Sequence, residues 1–137
     1  MSASLHHLIL AVSDREATAD YLVDLLELSP SWENGFFRSV QLDDHIVINL
    51  AVGPVEPQHF AFLIAEDHFD RVLARFEADG TPFTADPPGR RPQQVGAVNA
   101  DGTGRRMYFR GPAPDRHLLE VITARYDDVP TGSRPRR

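Results

Sequence analysis

The chain contains no cysteine and no lysine. Without cysteine, disulfides and thiolate chemistry are excluded. Without lysine, Schiff-base chemistry and any ammonium clamp for a phosphate are excluded as well. All 14 basic residues are therefore arginine. No apolar run reaches the roughly 18 residues that span a bilayer. The first residues carry neither the basic segment nor the apolar segment of a secretory leader, so a cytoplasmic protein with no membrane partner is expected. Basic charge is also short: the net charge is −6, which argues against a nucleic-acid partner. What remains is a 137-residue chain, 42% hydrophobic and 25% charged. That is enough apolar material for one core and enough charge for a solvated surface.

The hydrophobic pattern runs through the chain twice. Residues 5–12, rich in Leu, Ile and Val, read as a strand. Asp14 is a plausible helix N-cap, and helix-forming residues continue to about Leu28. "SPSWENG" (29–35) breaks the helix, and "FFRSVQL" (36–42) and "HIVINLAV" (45–52) read as a strand hairpin across a DD turn. "GPVEPQ" (53–58) is a linker. The pattern then restarts with a strand at "HFAFLIA" (59–65) and an amphipathic helix over 66–80 closed by Gly80. The short strand "PFTA" follows, then strands at "RRMYFR" (105–110) and "HLLEVITA" (117–124). Strand, helix, strands occurs twice, about 52 residues apart from His7 to His59. The stretch 86–104 is long for a loop, which suggests either a functional segment, one that could close over a site, or a disordered one, and 127–137 reads as a frayed tail.

Alternation along the strands sorts the candidate residues. His7, Ile9 and Ala11 share one face of the first strand; His6, Leu8, Leu10 and Val12 share the other. His59, Ala61 and Leu63 are likewise opposite Phe60, Phe62 and Ile64. The bulky faces suit the helices, which leaves His7 and His59 on faces that line something else. Glu120 is a lone carboxylate in an otherwise apolar final strand, and a buried carboxylate is costly unless paired or metal-bound. Two imidazoles and one carboxylate form a set that leaves open positions on a divalent metal. Alternation alone does not bring the three together, and each has a plainer reading. A strand-end histidine such as His7 commonly bonds to backbone. His6 has the wrong phase and reads as a rim residue. His45 reads as turn-exposed, and His68 and His117 as surface. Trp32, Phe36 and Phe37 suit either a pocket wall or the core, and acidic residues 66–70 suit a helix N-terminus.

In these segments the chain resembles the vicinal oxygen chelate (VOC) superfamily, which includes glyoxalases, fosfomycin-resistance proteins, bleomycin-binding proteins and extradiol dioxygenases. "HLILAVSDREATADYLVDLLEL" resembles its first βα unit, "QHFAFLIAEDHFDRVLARFEADG" its second, and "MYFRGPAPDRHLLEVIT" its closing strand pair. The likeness covers about residues 5–124. It implies an α+β fold of two βαβββ modules, about 5–52 and 58–124, forming a cup-shaped mixed sheet with helices outside, within one domain over 1–126. Carried over by position, the metal ligands fall on His7, His59 and Glu120, and the ion would be Fe, Mn, Zn or Ni. The fourth ligand position of glyoxalase-type members falls on Asn49, a poor ligand, so a three-residue shell fits better. Tyr108 matches a substrate-contacting tyrosine, and Arg106, two residues earlier on the same face, suits a carboxylate or phosphonate. The closing turn departs from the family: "GPAPDR" (111–116) has two extra residues and lacks the usual glycine.

The resemblance implies a divalent-metal-dependent enzyme acting on a small oxygen-rich molecule. Isomerisation, epoxide opening and oxygen insertion into a catechol are the reaction types, the last being usual in members nearly twice this length. The alternative is a non-catalytic protein that sequesters a drug or natural product, as bleomycin-resistance members do. A homodimer, with strands exchanged so that each cup draws His7 from one chain and His59 with Glu120 from the other, is implied for chains of this length.

Overall fold

The computed structural model describes residues 2–87, 99–100 and 104–123. Its elements are β1 (His7–Val12), α1 (Arg15–Leu26), β2 (Trp32–Asn34), β3 (Phe37–Gln41), β4 (Val47–Val52), β5 (His59–Leu63), α2 (Glu66–Asp79), β6 (Asn99–Ala100), β7 (Arg105–Arg110) and β8 (Leu118–Ile122). The order is βαβββ, twice, in an α+β chain. The strands form two four-stranded mixed sheets, β1-β4-β3-β2 and β5-β8-β7-β6. The chain divides into two compact units, one of Met1–Pro57 with Gly111–Arg116 and one of Gln58–Arg110 with His117–Arg137.

In the first unit α1 starts where Asp14 caps it, accepting the Ala17 N–H at 2.9 Å. It ends at Glu27, which takes a left-handed φ of 55°. Thr18, Ala19, Leu22, Leu25 and Leu26 are its buried residues, and Leu10, Val12, Val40, Ile48 and Leu50 supply the buried strand residues of this unit. The segment "SPSWENG", read as a breaker, also holds β2, a three-residue strand too short and polar to announce itself. β2 turns into β3 through Gly35, whose φ of 60° suits a two-residue hairpin and leaves Phe36 at the tip, 89% exposed. Phe36 and Trp32 are therefore not core residues. The altered turn 111–116 belongs to this unit: Asp115 accepts from the Ser13 N–H at 2.8 Å and the Ser13 hydroxyl at 2.5 Å.

In the second unit α2 buries Phe69, Val72 and Phe76, and Phe76 meets Phe109 edge-on at 4.8 Å. Gly80 closes the helix at φ 76°. "PFTA" forms no strand; Thr84 alone bridges Tyr108 through a pair of 2.9 Å backbone hydrogen bonds. The stretch 86–104 contains β6, paired with β7. The rest of that stretch between 88 and 103, and the tail 127–137, lie outside the described residues. No helix among the described residues is long and apolar enough to cross a membrane.

Candidate functional site

In each unit the first strand pairs in parallel with the last. This pairing makes neighbours of residues 40 positions apart in the first unit and 59 apart in the second. In the second unit His59 is opposite Leu118 and Ala61 opposite Glu120, and on the other side of β8 Tyr108 is opposite Glu120 and Arg106 opposite Ile122. His59, Glu120, Tyr108 and Arg106 thus share one face. His59 Nε2 lies 3.1 Å from Glu120 Oε1. Glu120 is only 6% exposed, whereas His59 is open to solvent. Two ligand atoms about 2.1 Å from one divalent ion and about 95° apart lie roughly 3.1 Å from each other. The separation and the nitrogen–oxygen donor set therefore fit a metal.

The Tyr108 ring stands edge-on to His59, with centroids 6.0 Å apart. Burial raises its phenol above the usual tyrosine range; the Glu120 charge adds to this, and a hydrogen bond from Arg106 opposes it. Tyr108 is consequently a neutral phenol at ordinary pH, able to donate or accept. Arg106 is half-buried and hydrogen-bonds to the Tyr108 hydroxyl.

The first unit repeats the register. His7 is opposite Val47, Ile9 opposite Asn49, and Ser39 opposite Asn49 from the other side. His7 and Ile9 are exposed while Leu10 and Val12 on the other face are buried. Asn49 Oδ1 accepts from the Ser39 hydroxyl at 2.7 Å. A cleft of about 620 Å³ is lined by Arg15, Gly35, Phe36, Phe37, Ala51 and Val52. Its arginine is already engaged, donating to Phe36 O at 2.9 Å and to Glu33 Oε1 at 2.5 Å.

Of the three expected ligands, then, His59 and Glu120 come together within the second unit, and His7 lies in the first. Among the described residues, no three His, Cys, Asp or Glu side chains are gathered as a metal cluster.

Comparison with solved structures places this register in context. Oxidase ChaP-H1 is 36% identical over 91% of this chain and 98% of its own, with a TM-score of 0.80. Oxidase ChaP-H2 is 36% identical over 92% and 97%, also with a TM-score of 0.80. The fosfomycin resistance protein FosX from Mesorhizobium loti is 23% identical over 93% and 98%, with a TM-score of 0.62. The chain belongs to the VOC superfamily. No family model matches it, and no curated protein does.

Two histidines of this VOC chain are not where their helix and turn positions suggested. His68 and His117, expected at the surface, are both buried. His117 Nδ1 accepts the Gln58 N–H at 2.9 Å, and Leu118 N–H donates to Gln58 O at 2.8 Å. Together they seal the sheet immediately before His59. A histidine three residues before the carboxylate carries no such signal in the sequence, because its partner is 59 positions away. His6 is exposed, as a rim residue should be, but not idle: its Nδ1 lies 2.8 Å from Nδ1 of His7. One of the two must carry the proton, and when His7 donates, its Nε2 lone pair is left for a ligand. Asp86, buried near the Tyr108 phenol and raising it further, was also missed. It sits where the sequence reads as the start of an irregular loop.

Proposed function

We propose that this VOC chain is a divalent-metal-dependent enzyme acting on a small oxygen-rich molecule, with His7, His59 and Glu120 as ligands to Fe, Mn, Zn or Ni. The observation that carries the proposal is the buried Glu120 carboxylate held 3.1 Å from His59 on a face shared with Tyr108 and Arg106. Bound there, a divalent ion acts as a Lewis acid on vicinal oxygens and stabilises negative charge that develops on them. Tyr108 donates its hydroxyl hydrogen to a substrate oxygen, and Arg106 holds an anionic group in its planar fork. Among the reaction types, an oxygen-using one has the most support. Both 36% identical structures are named oxidases, and this chain covers 98% and 97% of them, so that name belongs to chains of this length. The working unit is a homodimer that exchanges strands, so that one site draws on His7 of one chain and His59 with Glu120 of the other.

The test is metal analysis of protein purified without chelator, beside His7→Ala, His59→Ala and Glu120→Ala. One divalent ion per chain in the wild type and loss of it in each variant is the expected result. A metal-free protein in which all three substitutions are silent overturns the proposal. Tight binding of an apolar natural product by that metal-free protein would instead identify a sequestration protein.

A further inference from the structure

Asn49 is the first module's counterpart of Glu120. Glu120 pairs with Ala61, two residues beyond His59; Asn49 pairs with Ile9, two residues beyond His7. Ser39 stands across from Asn49 as Tyr108 stands across from Glu120. The register position is the same, but the chemistry has changed from an anionic acceptor to a neutral amide. What the amide presents is set by its neighbours. Asn34 Nδ2 donates to Ser39 Oγ at 3.1 Å, and Ser39 Oγ donates to Asn49 Oδ1 at 2.7 Å. A hydroxyl has one hydrogen, so accepting from Asn34 directs it to the Asn49 oxygen. With its oxygen taken, Asn49 is left with the amide nitrogen facing away from the ladder.

That nitrogen has no partner among the described residues. No side-chain nitrogen or oxygen among them is both shut from solvent and unpartnered, so Nδ2 reaches the surface. It emerges on the face that carries His7, beside Ile9 (60% exposed) and in line with Trp32 (39% exposed). Asn49 itself is only 7% exposed and Ser39 fully buried, so the amide is held rather than free to rotate. A fixed N–H donor set among apolar side chains recognises an oxygen acceptor, and an anionic oxygen best.

We infer that Asn49 Nδ2 is a substrate-binding donor for an anionic oxygen of an oxygen-rich ligand, and that Ser39, backed by Asn34, is the positioning residue that aims it. This rests on the proposal that His7 and its face belong to a metal site. It converts the missing fourth ligand into a specificity element: the position that would hold the metal holds the substrate instead.

The experiment uses 4-nitrocatechol, a coloured vicinal-oxygen anion, titrated against full-length protein with and without Mn(II). Mn(II) affinity is measured separately by calorimetry, and melting curves establish that each variant is folded. Asn49→Leu and Asn49→Asp are each expected to weaken 4-nitrocatechol binding roughly tenfold or more, with Mn(II) affinity unchanged within about twofold. Ser39→Ala, which keeps the amide but frees it to turn, is expected to weaken the probe by about threefold and to leave Mn(II) alone. Unchanged probe affinity in folded Asn49→Leu overturns the inference. So does lowered Mn(II) affinity in that variant, which would make Asn49 a ligand. Tighter Mn(II) with retained probe binding in Asn49→Asp overturns it too, because the amide oxygen would then face the site. If wild-type protein binds no Mn(II) or other divalent ion, the proposed metal site fails by itself. The metal-free titration then decides Asn49: a wild type that binds no probe sinks the inference, and an Asn49-dependent affinity sustains it.

Discussion

A carboxylate buried to 6% exposure with a histidine 3.1 Å away is an expensive arrangement unless a cation completes it. Glu120 is such a residue, and its neighbours decide what the cation would meet. Tyr108 is the neighbour with the clearest signature. Its phenol is raised by burial first and by Glu120 second. A raised native value favours the protonated form, so this contribution to stability is present below the ordinary value of 10.0 and is lost as pH rises through the native one. In an alkaline absorbance titration, one of the three tyrosines should ionise above the usual range, and Tyr108→Phe should remove that component. The same variant should keep its metal and bind 4-nitrocatechol about fivefold more weakly, the loss of one hydrogen bond. Ionisation of all tyrosines at the ordinary value would show that Tyr108 is solvated.

At the scale of elements, the two helices begin in different ways. α1 has Asp14 as a side-chain cap. α2 starts at Ala65, which cannot cap, and Arg105 from β7 holds its first turn instead. The guanidinium donates to Glu66 Oε2 at 2.9 Å and Glu66 O at 3.1 Å, pairs with Asp70 at 2.8 Å, and lies 4.4 Å from the Phe69 ring centroid. The acidic run 66–70 is thus more than a favourable charge at a helix start; it is half of a clamp on the sheet. Hydrogen bonds from Thr123 and then Arg105 lower the Glu66 carboxyl below its ordinary value of 4.5. A lowered native value gives stability that is present above 4.5 and is lost as pH falls through the native one. Glu66→Gln should therefore melt below wild type near neutrality, and the gap should close as pH falls from the ordinary carboxylate value of 4.5 through the lowered native one. A pH-independent gap would assign the effect to packing.

At the scale of the whole molecule, the proposed metal site calls for a test of which chain would supply each ligand. Mixing His7→Ala with His59→Ala distinguishes the cases. If strands are exchanged, a mixed dimer holds one site with both histidines intact, and metal binding returns on mixing. If each chain builds its own site, every site lacks one histidine, and mixing restores nothing. Sedimentation of the same samples should give a dimer; a monomer that binds metal tightly would dismiss the exchanged arrangement.

The twofold strand–helix–strands order and the faces of its strands were legible in the residues themselves, because alternation and helical spacing are local properties of a chain with one apolar side per element. His7 and His6 could be told apart, and His7 and His59 placed at the same phase, without any coordinates. β2 and β6 were not legible: three and two residues carry too little pattern, and pairing rather than composition makes them strands. Nor were the buried roles of His117 and Asp115, whose partners are 59 and 102 positions distant. The tertiary structure alone set the parallel register that brings His59 to Glu120, and the Asn34–Ser39–Asn49 ladder that turns an amide outward. Both depend on which strands become neighbours, and that is fixed by closure of each sheet rather than by any segment of the sequence.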